Sequence, residues 1–84
     1  MGNVNLIAEK IAKEAIKIAT SGKKLPDEFE LKDLFTKESW EKNSVEVRGL
    51  AGKKFKRYVN NHPDIEFVKT NTANHAIYRL TNPN

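Results

Sequence analysis

The sequence contains no cysteine and few glycine, proline or aromatic residues. Its 84 residues include four glycines, three prolines and one tryptophan. Without cysteine the chain has neither a disulfide nor a thiolate zinc site, so its stability has to come from a packed core. No apolar run approaches the ~20 residues that span a bilayer. We therefore expect a cytoplasmic protein that has no membrane partner.

Catalytic and metal-binding side chains are also scarce. His62 and His75 are the only histidines, and they fall in different predicted elements. No Ser–His–acid set, paired carboxylates or glycine-rich phosphate loop can be assembled from the remaining residues. The sequence therefore predicts no enzyme, no cofactor and no metal site.

The chain does contain enough apolar material for one core. Hydrophobic residues make up 38% of the sequence. A domain of this length buries only a little over half of its unfolded surface, so this material has to be gathered in one place. We expect residues 1–84 to form a single domain.

The charge of the chain is strongly segregated. The net charge is +4, but residues 25–46 carry seven acids against three lysines, whereas residues 47–62 carry five cations and no acid. A surface that serves solubility alone does not require such segregation. The acids between Asp27 and Glu41 are most simply a solvated surface, and the alternatives are a docking surface for a basic partner or a phosphate mimic in a competitive inhibitor.

A first amphipathic helix is predicted from Val4 to Thr20. Asn3 or Asn5 is placed to cap its start, and Ser21-Gly22 to end it. The apolar residues that recur on one side at helical spacing are Val4, Ile7, Ala8, Ile11, Ala15, Ile18 and Ala19. This apolar side also offers a surface for a homodimer.

Short elements are predicted between the two long helices. After a connector over 23–27, residues 28–30 are expected to form a short strand, and the apolar residues at 31, 34 and 35 predict a helix of two turns at most. Trp40 stands alone in the polar stretch 36–44. A large aromatic side chain in such a setting usually anchors the chain to the core.

A second long helix is predicted from about Val45 to His62, with Asn43 or Ser44 as its cap. Its apolar stripe consists of Val47, Leu50, Ala51, Phe55, Tyr58 and Val59. Pro63 disfavours helical geometry at the preceding residue and so ends the helix. Residues 65–70 and 75–80 are rich in β-branched and aromatic residues and predict a hairpin around the turn 71–74.

The resulting fold class is α+β, mainly α. A helix over 4–20, a helix-turn-helix-like core over 29–62 and a hairpin over 65–80 follow the winged helix-turn-helix order of three helices plus a C-terminal β-hairpin. In that arrangement the third helix enters a DNA groove and the hairpin wing reaches the DNA backbone. The same order is also compatible with an unrelated α+β domain.

The face of the second long helix opposite its apolar stripe follows from the turn of about 100° per residue. It carries Gly49, Gly52, Lys53, Lys56 and Asn60, with Arg57 beside them and Arg48 near a boundary. Glycine in a helix costs up to ~1 kcal/mol relative to alanine. The two glycines therefore indicate close approach of a ligand, and the alternatives are tight packing against another helix or a later helix start.

These residues predict a nucleic-acid contact, against the alternative of a face that serves solubility alone. Lys53, Lys56 and Arg57 are suited to phosphates. Lys54 falls inside the apolar arc, so its stem has to extend outward to reach one. Arg48 and Asn60 are suited to base edges, since Arg reads guanine and Asn reads adenine. Lys69 and Asn71 of the predicted wing add backbone or minor-groove contacts.

A resemblance to a known family rests on four pieces of the sequence. They are the stretch from Phe29 to Phe35, then Trp40, then Arg48 to Phe55, and finally Thr72 to His75 before Tyr78. Together they resemble a family of short uncharacterised proteins of Gram-positive bacteria and their phages. The resemblance implies a compact helical domain with a C-terminal hairpin in a mobile-element setting. It covers about fifty residues and leaves the N-terminal helix outside.

Two functions compete on these grounds. The first is a DNA-binding winged-helix regulator of a phage or other mobile element, with duplex DNA as its partner. The second is a protein-interaction module, such as a phage-encoded inhibitor of a host nuclease or defence complex. In the second case the acidic surface over 27–46 or the N-terminal helix contacts the host protein.

Overall fold

The computed structural model describes residues 3–22 and 24–81; Lys23 of the predicted connector and the tail 82–84 lie outside the described residues. The helices are α1 (Val4–Ala19), a 3₁₀ helix (Leu31–Leu34), α2 (Lys37–Glu41) and α3 (Val45–Asn60), and the strands are β1 (Ile65–Thr70) and β2 (Ala76–Leu80). This order confirms the α+β, mainly helical prediction and is compatible with a winged-helix-like layout. None of the helices in these residues has the length and apolar character needed to cross a membrane.

Helix α1 begins and ends close to the predicted residues. Asn3, not Asn5, is the cap, because its Oδ1 accepts a hydrogen bond from the Leu6 amide at 3.2 Å. The helix ends at Ala19, one residue early, where the Thr20 hydroxyl donates to the carbonyl oxygen of Ile16 at 2.8 Å. Gly22 follows with a φ of 87°, a value that glycine adopts without strain.

The buried face of α1 is made of alanine, which corrects the predicted face. Ala8, Ala12, Ala15 and Ala19 are at most 1% exposed, whereas Ile7 is 41% exposed. Ala12 is absent from the predicted stripe, and Ile7 was wrongly placed in it. The physical reason is helix packing: small side chains at a contact allow two helix axes to come close together. The alanines of α1 share one core with the buried face of α3.

One polar contact also joins α1 to α3. The hydroxyl of Tyr58 donates to a carboxylate oxygen of Glu9 at 3.1 Å. Burial, followed by the neighbouring Glu9 carboxylate, raises the pKa of Tyr58. The contact lies at the margin of the alanine face.

The short elements between α1 and α3 are smaller than predicted. The strand expected over 28–30 is reduced to one bridge, in which Phe29 and Tyr78 exchange backbone hydrogen bonds of 2.9 and 2.8 Å. The helix expected over 31–35 is a single 3₁₀ helix that ends before Phe35. Trp40, on α2, is half-buried and stacks on the Phe35 ring with a centroid distance of 5.8 Å. This stack confirms Trp40 as an anchor.

Ser44 caps α3, since its hydroxyl accepts a hydrogen bond from the Val47 amide at 3.2 Å. The helix ends at Asn60, two residues before the predicted end. There the amides of Asn61 and His62 bond to carbonyl oxygens three residues back, which tightens the last turn ahead of Pro63. The fully buried residues of α3 are Val47, Ala51, Phe55 and Val59, all from the predicted stripe.

The hairpin contains a bulge that the sequence pattern did not predict. Strand β1 pairs with β2 in antiparallel fashion, and the register shifts by one residue between Phe67 and Lys69. Beyond the shift Lys69 pairs with Ile77, while Thr70 pairs with Ala76. Because partners across a ladder share a face, Thr70 lies on the same face as Tyr78, and Lys69 lies on the opposite face. Strand β2 begins at Ala76, one residue later than predicted.

The ring of Tyr78 lies at the centre of the core. It meets Phe55 of α3 edge-on at 4.8 Å between ring centroids, with Phe67 at 6.1 Å and Phe29 at 6.4 Å. The residue is 2% exposed, and burial raises the pKa of Tyr78 to about 12. This cluster joins the hairpin to α3 and to the bridge at Phe29.

The alanine face of α1 predicts that a larger side chain is not tolerated there. Ala12→Leu forces the two helices apart or the leucine off its rotamer, so we expect a loss of about 1–3 kcal/mol in the free energy of unfolding. Urea unfolding followed by circular dichroism measures it. The control is Lys13→Leu at the exposed neighbouring position, with an expected change of at most about 0.5 kcal/mol. Equal stability of the two variants would contradict this helix contact.

The raised pKa of Tyr78 predicts a loss of stability in alkali. Below pH 10 the phenol is protonated in both states; between pH 10 and 12 the unfolded chain ionises first, so the folded state binds more protons and stability falls. At about pH 11 the loss is about 1.4 kcal/mol. Tyr78→Phe removes this loss. Measured by urea unfolding, the free energy of unfolding of the variant relative to that of the wild type should therefore be about 1.4 kcal/mol higher at about pH 11 than at about pH 8. An unchanged difference at the two pH values would refute the assignment.

Candidate nucleic-acid interface

A groove of about 620 Å³ runs between α3 and the turn end of the hairpin. The α3 side of the groove consists of Arg48, Gly49, Gly52, Lys53 and Lys56, preceded by Val45. Thr70, Ala76 and Tyr78 line it from the hairpin, and Trp40 lines it from α2. The buried stripe of α3 faces the core, so its opposite side is left to form this groove and the surface beside it.

The groove brings together three of the eight residues predicted to bind nucleic acid, namely Arg48, Lys53 and Lys56. Arg57 and Asn60 are exposed farther along α3, and Lys54 is half-buried. By helix geometry Lys54 lies one turn before Tyr58, on the side of α3 that faces α1. Lys69 is exposed on the face of the hairpin that points away from Tyr78.

Asn71 is already engaged in the hairpin turn. Its Oδ1 accepts hydrogen bonds from the amides of Ala73 and His75, both at 3.0 Å, and its Nδ2 donates to a carboxylate oxygen of Glu30 at 3.1 Å. Asn74 completes the turn with a φ of 66°, which asparagine tolerates better than most residues. Asn71 therefore stabilises the hairpin turn. Its Oδ1 already accepts two hydrogen bonds, and the second N–H of Nδ2 is the group left for a contact with nucleic acid.

Glu30 is the functional-site residue that the sequence reasoning missed. It was included in the solvated acidic surface, but its carboxylate lies 2.8 Å from Nδ1 of His75 and 3.8 Å from the ammonium of Lys32. With the bond from Asn71, these contacts fix the hairpin turn to the 3₁₀ helix. Asn71 and His75 lie more than forty residues from Glu30 in the sequence, so no local pattern predicts these two contacts.

Each histidine makes a hydrogen-bonded contact within the fold. Nδ1 of His62 accepts a hydrogen bond from the amide of Asp64 at 3.1 Å, next to the end of α3. Within residues 3–22 and 24–81, no three His, Cys, Asp or Glu side chains are grouped in a way that would hold a metal ion.

The cations that α3 contributes to the groove have no acidic partner among the described residues. The ammonium of Lys56 lies 4.4 Å from the centroid of the Phe67 ring, a cation–π contact that reaches from α3 to β1. The ion pairs formed among the described residues involve Glu30 and Glu66, and none includes a cation of α3. Nε of Arg48 is buried and has no hydrogen-bond partner within the described residues. The cations of α3 are therefore not neutralised by ion pairs within this part of the chain.

The structure excludes both alternatives for the glycines. Helix α3 begins at Val45, so neither Gly49 nor Gly52 marks a later start. A Cβ atom built on either glycine meets nothing within 4 Å among the described residues, so no neighbouring helix requires them. Each glycine still costs the helix about 1 kcal/mol relative to alanine. The space in front of them is the open groove.

Comparison with known proteins adds a family but no activity. A family model described as a domain of unknown function (DUF1413) matches residues 9–79. The match begins inside α1, which corrects the expectation that the N-terminal helix lies outside the family domain; the alanine contact with α3 gives the physical reason. No curated protein and no solved structure is significantly similar to the chain. Because the family model spans most of its residues, the chain belongs to the DUF1413 family.

Proposed function

We propose that the protein binds duplex DNA through the outer face of α3 and the adjoining groove. The observation that carries this proposal is the run of cations on α3 that contains no acid between Val47 and His62 and forms no ion pair among the described residues. A DNA duplex presents a dense row of phosphates, and their contact with lysine and arginine releases counterions. The face has the charge, and the groove has the concave shape, for this partner.

The contacts of the proposal divide by chemistry. Lys53, Lys56 and Arg57 neutralise phosphates, and Lys54 joins them if its stem extends past the apolar arc. Asn60 is exposed on the same helix and is suited to a base edge, as is Arg48. The bulge keeps Lys69 on the other face of the hairpin, from which it reaches the DNA backbone as a wing residue does. Binding of this kind requires neither catalysis nor a cofactor.

A regulator of a phage or other mobile element, located in the cytoplasm, is the role we propose for this binding. Its setting rests on the sequence resemblance. A dimer through α1 would present two α3 helices to half-sites about 34 Å apart. Most of the apolar side of α1 is used within the chain, so the dimer contact we propose is restricted to its first turns, where Leu6 is 54% and Ile7 is 41% exposed.

The second candidate is a protein-interaction module that inhibits a host nuclease or defence complex. The observation that favours it is the exposure of Leu6 and Ile7 on α1 and of Val45, which is 76% exposed at the start of α3. Single exposed aliphatic side chains are common, but Leu6 and Ile7 are neighbours on α1, and adjoining apolar side chains at the surface favour contact with another protein. A host-lysate pull-down that loses its partner in a Leu6→Ser, Ile7→Ser variant would support this candidate.

A salt series on mixed-sequence duplex DNA tests the DNA proposal. The triple variant Lys53→Glu, Lys56→Glu, Arg57→Glu removes three phosphate contacts and adds repulsion. We expect the wild type to bind at low salt with submillimolar affinity and a steep salt dependence. The variant should lose binding, because three cations that attract phosphates become anions that repel them. Any residual binding should depend less on salt, because each phosphate contact contributes about −0.9 to the slope of log K against log salt. Fluorescence anisotropy measures both quantities.

The matched control places the same charge change on α1. Lys10, Lys13 and Lys17 are exposed, and their joint change to Glu alters the net charge equally without touching α3. We expect this control to keep most of the affinity. Absence of wild-type binding at low salt, with the fold intact by circular dichroism, would refute the DNA proposal. If the two triple variants lose DNA affinity equally, the binding depends on the net charge of the protein and not on the face of α3.

A further inference from the structure

Part of the Arg48 guanidinium lacks a hydrogen-bond acceptor among the described residues. Its Nε is buried and has no hydrogen-bond partner among the described residues, while the side chain lines the groove. A buried donor without an acceptor costs free energy in the unbound protein. A small rotation toward the groove would give this N–H an acceptor if an anion occupied the groove. The binding of an anion at this point therefore recovers a cost that the unbound protein carries.

The helix surface next to Arg48 is bare. Gly52 lies one turn after Arg48, and Gly49 lies three residues before Gly52, so the two glycines are neighbours on the helix surface. Lys53 follows Gly49 by one turn and Lys56 follows Gly52 by one turn, which places a cation beyond each glycine. All five residues line the same groove. A ligand can therefore reach the helix backbone between three positive side chains.

The net charge of the groove favours an anion. Its four cations are Lys32, Arg48, Lys53 and Lys56, and its two carboxylates are Glu30 and Glu41. The Glu30 carboxylate is already bound by His75, Lys32 and Asn71. Glu41 is exposed on the α2 side. The cations of α3 therefore dominate the side of the groove where the glycines lie.

We propose that this groove seats one backbone phosphate of the nucleic acid on the bare helix surface at Gly49 and Gly52, held by Arg48 and flanked by Lys53 and Lys56. The inference rests on the proposed DNA binding and specifies where the strand comes closest to α3. The planar guanidinium offers two parallel N–H groups to phosphate oxygens, which an ammonium cannot do. A side chain at either glycine would keep the phosphate away from the helix. Under this proposal Arg48 contacts a phosphate and not a base edge.

The test is a double variant that we expect to raise the Tm of the protein and to weaken its binding to DNA. Gly49→Ala with Gly52→Ala meets no clash in the unbound protein and improves the helix. At about 1 kcal/mol for each glycine, we expect Tm to rise by roughly 8–16 °C for the pair. The same variant should bind mixed-sequence duplex DNA at least about tenfold more weakly. Gly22→Ala is the matched control: its φ of 87° makes alanine strained, so Tm should fall while affinity stays at the wild-type value.

Arg48→Lys is a second test, because it retains the positive charge and removes the two parallel N–H groups of the guanidinium. We expect it to weaken binding by about tenfold, whereas Arg79→Lys should leave the affinity unchanged, because Arg79 is already ion-paired with Glu66. Two failures are distinguishable. If the wild type does not bind DNA at low salt, the proposed function fails. If it binds with a steep salt slope but the alanine pair and Arg48→Lys bind equally well, the phosphate seat is refuted and DNA binding remains.

Discussion

The edge-on contact between the rings of Tyr78 and Phe55, 4.8 Å apart, holds the hairpin beside α3. The same tyrosine exchanges two backbone hydrogen bonds with Phe29, so the segment before the 3₁₀ helix is fixed to the hairpin as well. Three parts of the chain that are distant in sequence are thereby fixed around one buried ring. Aromatic pairs of this geometry contribute beyond the area that they bury. This contact fixes the distance between α3 and the hairpin, and the groove is the space that remains between them.

Helix α3 serves two purposes with its two sides. Its buried stripe packs against the alanines of α1 and the aromatic cluster, and these contacts make the helix stable despite two glycines. The other side is therefore free to carry residues that do not favour a helix and charges that repel each other. In the unbound protein the glycines and the like charges reduce stability: no ion pair among the described residues offsets the charges, and only Lys56 has a favourable contact, with the Phe67 ring. Features of this kind are typical of a binding surface.

The sequence was sufficient for the parts of the fold that depend on local periodicity. The apolar stripe of α3, the cap at Ser44 or its neighbour, the two strands and the anchor Trp40 follow from spacing and residue type. The alanine face of α1 was only partly predicted, because hydrophobicity ranks isoleucine above alanine and says nothing about how closely two helices approach. Close packing favours the smaller side chain, so Ile7 is exposed and Ala12 is buried.

For the candidate site, the sequence likewise predicted the features that depend on one helix and not those that depend on packing between distant elements. Helical geometry identified the basic face of α3 and both glycines, since these depend on one element alone. The groove itself, the contact of Lys56 with Phe67 and the bonds of Glu30 to the hairpin turn depend on how distant elements pack. The position of Lys69 depends on one bulged residue, which reverses the face of every residue beyond it. Such features become visible only in the folded chain.

Amide chemical-shift mapping tests the central claim most directly. A short mixed-sequence DNA duplex is added at low salt to isotope-labelled protein, and the backbone amide resonances are followed. The proposed interface predicts the largest changes at Gly49, Gly52 and the residues between 53 and 57, with smaller changes near the hairpin turn and none over the alanine face of α1. Changes centred on α1, or a spectrum that DNA leaves unaltered, would contradict the account.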